Sequence, residues 1–339
     1  MANTAPTTQL AAEWREAPVV LRRQDEVLPQ PVSALIDHLH ARAPRLVVTC
    51  ARGSSAHAAT YAKHLFERHL GLPVAAAAPN IASIYRRTLH LEGQMLLAIS
   101  QSGRSEDIVA TATMARHAGA ITAALVNDAE SPLARTCAHV LPLAAEAERS
   151  VAATKSFVAS LAALLRLTAA WSGNAAMRRA LARLPQRLAQ ATALDWSAAA
   201  ASLASARSVM VIGRGPTLAI AREAALKLKE VCNIHAEAFS SAEFRHGPIA
   251  LIEPDYPVVV FGTSDEAAEG LGALAQDLRD KGATVFAVAH DLPMLAPEQA
   301  DADAICQIQA FYGLLLQLAA RRGGDIDRPR HLQKVTTTR

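Results

Sequence analysis

RLVVTCARGSSAHA, residues Arg45–Ala58, passes from a β-branched apolar run through a glycine turn into a segment of helical composition. The same succession returns in SVMVIGRG at Ser208–Gly215, although the two stretches share little sequence identity. Each begins a series of apolar runs that alternate with segments of helical length. Continuous apolar runs in this alternation are typical of parallel sheets covered by helices on both faces. We therefore predict an α/β fold of two tandem three-layer domains.

The other apolar runs and the segments between them define the predicted organisation. Further strands are expected at 73–78, 94–100, 120–126 and 139–143 in the first series, and at 257–263, 283–289 and 304–308 in the second. We predict an N-terminal helical segment at 1–30, a first domain at 31–175, a helical connector at 176–205, a second domain at 206–324 and a tail at 325–339. The tail is polar and contains proline, so we expect it to be irregular and to cover the active site.

Composition excludes several classes of protein. Half of the 339 residues are hydrophobic and the formal net charge is only +3, without a basic block, so a nucleic-acid surface is not expected. The N-terminus does not resemble a secretory signal, and no apolar run approaches the roughly 20 residues that span a bilayer. The cysteines are far apart, which predicts reduced thiols in a cytoplasmic protein: Cys50, Cys137, Cys232 and Cys306. Zinc-like ligand pairs and nucleotide-binding glycine motifs are missing from the sequence, so we expect no metal and no cofactor.

Three segments carry hydroxyl residues where a phosphate could bind. They are Gly53, Ser54 and Ser55 after the first strand, Ser100, Gln101, Ser102 and Ser105 after the strand at 94–100, and Thr154 in SVAATKSF. Hydroxyl and N–H groups at a helix start bind anions, because the helix dipole and its unpaired donors face the same point. The alternative for each segment alone is a capping serine beside a turn glycine. Since two clusters follow strands of one predicted sheet, we favour a sugar phosphate at the carboxyl ends of those strands.

The segment EAALKLKEVCNIHAEAFSSAEFRH (Glu223–His246) concentrates acids, lysines and histidines among apolar neighbours. On a helix, Glu223, Lys227 and Glu230 fall at i, i+4 and i+7 and share one stripe. Carboxylate, amine and imidazole groups in one place are suited to proton transfer at carbon. The alternatives are a solvated stripe of ion pairs, a turn position for His246 and a surface position for the tail lysine, Lys334.

With these motifs the chain resembles the sugar isomerase (SIS) family. It is most similar to the isomerase half of glutamine–fructose-6-phosphate aminotransferase and to the stand-alone glucosamine-6-phosphate deaminases. The matching stretches are Gly53–Ser55, Ser100–Ser105, Val151–Phe157, Gly213–Gly215, Glu223–Glu230, Ile234–Pro248 and Asp327–Thr336. The resemblance extends over nearly the whole chain beyond its first few dozen residues, and these stretches are spread along it.

The resemblance implies roles for particular residues. Glu230 would move a proton between C2 and C1 of the sugar, and Lys227 would stabilise the developing oxyanion. His246 would open the sugar ring and would reach the site from the partner subunit of a homodimer. Lys334 would form a Schiff base, which requires an uncharged amine and therefore burial under the tail. The implied phosphate and sugar contacts are Gly53, Ser54, Ser55, Ser100, Gln101, Ser102, Ser105, Val151, Ala153, Thr154 and Glu223.

The chain departs from the aminotransferase in ways that bear on its reaction. The first cysteine is Cys50, on a predicted buried strand, so a glutaminase nucleophile at the N-terminus is not expected. Arg52, Arg104, Ser105 and Ala153 stand where the aminotransferase has a cysteine, an acid, a threonine and a serine. A chain that cannot take ammonia from glutamine but keeps the isomerase residues is suited to releasing ammonia from an amino sugar. We therefore predict conversion of glucosamine 6-phosphate and water to fructose 6-phosphate and ammonia.

Two other functions stay open at this point. A related enzyme could act on a phosphorylated fructosamine, as a deglycase, or on galactosamine 6-phosphate. A non-catalytic sugar-phosphate sensor is the third possibility, since this fold also occurs joined to DNA-binding domains. The presence of Glu230, Lys227 and His246 together favours an enzyme, because a sensor needs no proton shuttle.

Overall fold

The computed structural model describes residues 8–334, which fold as two compact units. The first unit contains Val19–Glu148, Lys155–Leu181 and, from the tail, Gln333 and Lys334. The second unit contains residues 8–18, Arg149–Thr154 and Ala182–Leu332. Within the described residues, each unit is built on one parallel sheet. None of the helices in residues 8–334 combines the length and the apolar composition that a membrane span requires.

Five parallel strands form the sheet of the first unit. The elements in chain order are α1 (Gln9–Val27, which begins in the second unit), α2 (Pro29–Arg42), β1 (Val47–Ala51), α3 (Gly53–Leu70), β2 (Val74–Ala76), α4 (Asn80–Ser83), β3 (Met95–Ser100), α5 (Glu106–His117), β4 (Ile121–Val126), α6 (Pro132–Thr136), β5 (His139–Pro142) and α7 (Lys155–Trp171). The strand order is β2-β1-β3-β4-β5. Every residue of β3 and β4 is buried, which explains why their sequences are apolar without alternation.

Four parallel strands form the sheet of the second unit. After α8 (Ala175–Ala191, which begins in the first unit) come α9 (Ser197–Leu203), β6 (Ser208–Gly213), α10 (Thr217–Cys232), β7 (His235–Ser240), α11 (Ser241–Phe244), β8 (Pro257–Val260), α12 (Ala268–Asp280), β9 (Thr284–Ala287) and α13 (Ala300–Arg322). The strand order is β7-β6-β8-β9. Helix α10 packs on β6, β7 and α13. The turn from β6 into α10 requires glycine, since a Cβ on Gly213 would lie 2.3 Å from the Thr217 carbonyl oxygen.

The α/β fold with two parallel sheets is confirmed, with two corrections in the second unit. Residues 304–308, predicted as a strand, lie inside α13. Almost all of α13 is buried, so the helical period does not show in its sequence, and a short apolar run then looks the same in a helix or a strand. Strand β7 was not predicted, because it is an edge strand whose polar residues His235 and Glu237 are exposed. The irregular tail is confirmed as far as Lys334; residues 335–339 lie outside the described part of the chain.

A histidine pair in the first unit makes its stability depend on pH. His38 of α2 and His139 of β5 contact each other through Nδ1 and Nε2 at 2.9 Å. Burial, and then the charge of His38, lower the pKa of His139 below its ordinary value. At His139 the folded protein therefore binds fewer protons than the unfolded chain. The stabilising contribution of neutral His139 is present above about pH 6.5 and is lost as the pH falls through its lowered pKa.

We expect the urea midpoint of unfolding to fall between pH 7 and pH 5, and His139→Gln to reduce that fall. His117→Gln is the matched control, because His117 is exposed at the end of α5. Equal pH dependence in the two variants would contradict this prediction. Equilibrium unfolding followed by circular dichroism at several pH values measures it.

Candidate active site

The two serine clusters leave the same edge of the first sheet. Strands β1 and β3 are parallel neighbours, paired from Val47↔Met95 to Ala51↔Ile99. Gly53–Ser55 follows β1 and Ser100–Ser105 follows β3, so both loops start at the carboxyl ends of adjacent strands. This confirms the prediction that both clusters follow strands of one sheet, at the edge where parallel α/β proteins bind ligands.

The serine hydroxyls in these loops are not explained by helix capping. The N-cap position of α3 is Arg52, so Ser54 and Ser55 lie in the first helical turn. Ser105 occupies the N-cap position of α5, but its side chain makes no capping hydrogen bond. Ser100 Oγ accepts the Gly103 N–H at 3.1 Å and Ser102 Oγ accepts the Arg104 N–H at 3.3 Å. Because both hydroxyls act here as acceptors, their O–H groups are left to donate to a ligand.

Gly53 opens space at the start of α3. Its φ is +53°, a left-handed conformation that favours glycine. A Cβ at this position would have no atom within 4 Å, so the backbone faces open space. The start of α3 therefore has open space on the Cβ side of Gly53, and the anion site there stays a prediction.

The tail lysine lies on a buried carboxylate in the first unit. Lys334 Nζ is 3.1 Å from Glu148 Oε2, and the Glu148 side chain is fully buried. Glu148 also accepts the N–H of Ser156 at 3.1 Å and its O–H at 2.5 Å. A quarter of the Lys334 side chain is exposed. Lys334 thus pairs with Glu148, so the alternative of a free surface lysine is not found.

The stripe on α10 is a buried ion-pair cluster in the second unit. Lys227 Nζ lies 3.4 Å from Glu223 Oε1 and 2.5 Å from Glu230 Oε2. The side chains of Glu223 and Lys227 are 0% and 1% exposed, and that of Glu230 is 21% exposed. The alternative of a solvated stripe is therefore wrong. Glu223 and Lys227 form a buried ion pair, and of the three residues only Glu230 is partly exposed to solvent.

Glu230 lines a cavity of about 740 Å³ within the second unit. The cavity lies between the end of α10 and the start of the tail, and its wall contains Arg321, Arg322, Arg328 and Arg330. Arg322 is fixed by the carbonyl oxygens of Ala204, Ala206 and Cys232 at 2.7 to 3.0 Å. The other three arginines have exposed side chains. The carboxylate of Glu230 thus faces a cavity whose wall carries four arginines and one other acid, Asp325.

The third predicted cluster, at 151–154, is joined to the tail within the second unit. The Val151 N–H donates to the Asp327 carbonyl at 3.2 Å, and Thr154 is buried. The Asp327 carboxylate accepts the N–H groups of Gln9 and Leu10 at 2.9 and 2.8 Å, at the start of α1. Ala153 is half-buried beside Thr154, and we find no contact that assigns it a role.

His246 is exposed at a turn that follows α11. Its N–H donates to the Glu243 carbonyl at 3.0 Å. The turn position expected as an alternative is therefore found. An exposed imidazole is also available to another molecule.

The cysteines are buried thiols, and Cys232 lines the cavity that Glu230 faces. All four cysteines are buried and free. Burial raises the pKa of Cys50 to about 11, and of Cys137, Cys232 and Cys306 to about 12, so none is a thiolate near neutral pH. Among residues 8–334, no group of three or more His, Cys, Asp and Glu side chains is placed to hold a metal ion.

Sequence reasoning missed three residues of these sites. Arg52 was noted only as a departure from the resembled family, and neither Asp107 nor Glu148 was singled out. Asp107 binds Arg52, and Glu148 binds Lys334. An isolated acid gives no signal in a sequence when its partner is 55 or 186 residues away.

The two parallel sheets and the side chains at their edges together define the class of protein to which this chain belongs. It is a duplicated parallel α/β protein with hydroxyl loops at the strand ends of one sheet and a buried carboxylate–lysine cluster on the helix that packs on the other. The sequence profile of the SIS domain matches residues 41–170 and again residues 202–319. The chain belongs to the SIS-domain family.

Individual relatives place the chain within that family. It is 35% identical over 326 residues to the glutamine–fructose-6-phosphate aminotransferase of Symbiobacterium thermophilum, a match that covers 87% of this chain and 52% of that protein. The similar enzyme of Halobacterium salinarum is also 35% identical, over 319 residues that cover 86% of this chain and 51% of that protein. The chain thus spans about half the length of the curated relatives it matches.

Solved structures agree with the fold. A Silicibacter pomeroyi DSS-3 protein, provisionally assigned as a phosphosugar isomerase, superimposes with a TM-score of 0.91 at 41% identity, covering 94% of this chain and all of the other. The glucosamine-6-phosphate deaminase of Thermotoga maritima superimposes with a TM-score of 0.81 at 22% identity, covering 98% of this chain and all of the other. At 22% identity the second likeness shows the fold alone.

Proposed function

We propose that this chain is an isomerising glucosamine-6-phosphate deaminase, which converts glucosamine 6-phosphate and water to fructose 6-phosphate and ammonia. The observation that carries the proposal is the cluster on α10, where buried Lys227 holds Glu230 at 2.5 Å while one side of Glu230 faces a cavity. A carboxylate fixed in this way is suited to moving a proton between two adjacent carbons. The similarity to phosphosugar proteins of the same fold supports a sugar phosphate as the substrate.

The proposed reaction proceeds in three steps. His246, donated by a second copy of the chain in a homodimer, opens the pyranose ring by acid–base catalysis. Glu230 then removes the proton from C2 and returns it to C1, while Lys227 stabilises the charge that develops between these steps. Water adds to the resulting C2 imine and ammonia leaves, which gives the ketone of fructose 6-phosphate.

The serine clusters are proposed to bind the phosphate, which does not react. Ser54, Ser55, Ser100, Gln101, Ser102 and Ser105 would donate hydroxyl, amide and backbone hydrogen bonds to it. We assign Lys334 as a substrate contact whose side chain is held in place by Glu148. Water can hydrolyse the imine directly, so the reaction does not require a covalent Schiff base with Lys334.

The test is an activity assay with the purified full-length chain. We expect ammonia and fructose 6-phosphate in equal amounts from glucosamine 6-phosphate, without glutamine or added metal. Galactosamine 6-phosphate, run in parallel, tests the epimer. Failure to release ammonia from either hexosamine phosphate would reject the deaminase.

A phosphofructosamine deglycase is the second candidate, and one observation favours it. Three arginines with exposed side chains, Arg321, Arg328 and Arg330, line the cavity that Glu230 faces. Guanidinium groups bind carboxylates, such as that of an amino acid attached to the sugar nitrogen. Release of an amine from a carboxylated fructosamine phosphate, with none from glucosamine 6-phosphate, would decide for the deglycase. A sensor is not favoured, since ligand binding alone gives no reason to bury Lys227 between two carboxylates.

A further inference from the structure

Arg52 lies where both serine loops leave the first sheet. Ala51 of β1 pairs with Ile99 of β3, so Arg52 and Ser100 are the next residues in register. Arg52 is extended, with φ −134° and ψ 157°, and it precedes Gly53 directly. The turn that presents Ser54 and Ser55 therefore also carries a guanidinium group.

A buried carboxylate fixes this guanidinium. Arg52 Nε and Nη2 donate to Asp107 Oδ2 at 3.0 and 2.7 Å. The Asp107 side chain, in the first turn of α5, is 2% exposed, whereas that of Arg52 is 51% exposed. Asp107 Oδ1 accepts the Ile108 N–H at 2.9 Å, so the carboxylate itself is fixed. The edge of the guanidinium formed by Nε and Nη2 faces Asp107, which leaves the edge formed by Nη1 and Nη2 for a second anion.

The serine loops need such a cation if they bind a phosphate dianion. Their hydroxyls are neutral donors, and a phosphate monoester carries about −1.5 to −2 charges at pH 7. A guanidinium binds phosphate through two parallel hydrogen bonds, which are about twice as strong as neutral ones. Arg104, the other arginine of these loops, pairs with Asp128 at 2.9 Å, and 57% of its side chain is exposed. Of these two arginines, Arg52 is the one that combines a place between both loops with a buried anchor.

We propose that Arg52 is a phosphate-binding residue of this site and that Asp107 is the positioning residue that holds it. The pair would select a dianionic phosphate ester over the free sugar. The identity of the sugar rests on the proposed function, whereas the phosphate contact can be measured without turnover.

Calorimetric titration of the full chain with fructose 6-phosphate, and with fructose as the uncharged probe, tests the proposal. Arg52→Gln should weaken fructose 6-phosphate binding about 10- to 100-fold, since charge-assisted hydrogen bonds are lost. Arg52→Lys keeps the charge but not the two-pronged geometry, so an intermediate loss is expected. Arg116→Gln is the matched control: Arg116 lies in the last turn of α5, at the end opposite Asp107, and donates to the Thr136 carbonyl.

Two further measurements separate binding from folding. Arg52→Gln leaves the buried Asp107 without its cation, which could disturb folding. The double variant Arg52→Gln/Asp107→Asn removes both charges and should bind fructose 6-phosphate as weakly as Arg52→Gln does. Wild-type affinity should rise as phosphate loses its second proton near pH 6, and this rise should be smaller in both variants. Wild-type affinity and pH dependence in a folded Arg52→Gln or double variant would overturn the proposal. Arg52-dependent binding without ammonia release would reject only the deaminase.

Discussion

Glu230→Gln is expected to lower kcat for ammonia release by about 10²- to 10⁴-fold, because the amide cannot accept the proton from C2. Binding of fructose 6-phosphate should change little, since glutamine has nearly the same shape. The fold should also persist, because Lys227 keeps its ion pair with Glu223 at 3.4 Å. Steady-state kinetics, with binding measured separately by calorimetry, distinguishes the two effects.

Glu237→Gln provides the matched control for this loss. Glu237 lies on β7, is exposed, and carries the same functional group in the same unit. Its activity should be that of the wild type. A Glu230→Gln enzyme that turns over at the wild-type rate would exclude Glu230 as the base and, with it, the proposed mechanism.

Lys227→Met is expected to destabilise the second unit by about 3–5 kcal/mol in the free energy of unfolding. Methionine fills a similar volume but leaves the Glu223 carboxylate, whose side chain is 0% exposed, without its cation. A buried carboxylate that loses its cation costs several kcal/mol, whereas the intact ion pair is close to neutral in its net contribution. Urea unfolding followed by circular dichroism measures the change.

Lys229→Met is the control, because Lys229 is exposed on the same helix and the substitution makes the same change in charge and shape. It should alter stability by less than about 0.5 kcal/mol. The double variant Glu223→Gln/Lys227→Met should recover part of the loss, since it removes both charges. Equal stability of Lys227→Met and Lys229→Met would contradict a buried ion-pair role for Lys227.

The parallel sheets and the stripe of Glu223, Lys227 and Glu230 were predictable because each produces a pattern within a short stretch of sequence. Fully buried strands such as β3 and β4 are uninterrupted apolar runs, and adjacent strand ends bring Gly53–Ser55 and Ser100–Ser105 to one sheet edge. The i, i+4 and i+7 spacing likewise placed Glu223, Lys227 and Glu230 on one face of α10. The spacing could not reveal their burial, because packing decides whether an ion-pair stripe is solvated.

The remaining features depend on contacts between distant residues. Strand β7 has exposed polar residues and therefore lacks the apolar run by which the other strands were predicted. The burial of α13 conceals its helical period. The Arg52–Asp107 and Lys334–Glu148 pairs join residues that no sequence window contains together. Such pairs become visible only when the sheet topology brings their elements to one place.

The four buried cysteines allow the opening of each unit to be measured separately by the rate of thiol labelling. Cys50 and Cys137 belong to the first unit and Cys232 and Cys306 to the second, and all four are shielded from solvent. An alkylating reagent can modify them only when the surrounding structure opens, and the rate then reports the free energy of that opening. Peptide mapping after timed labelling would therefore show whether the two units open with the same free energy or with different ones.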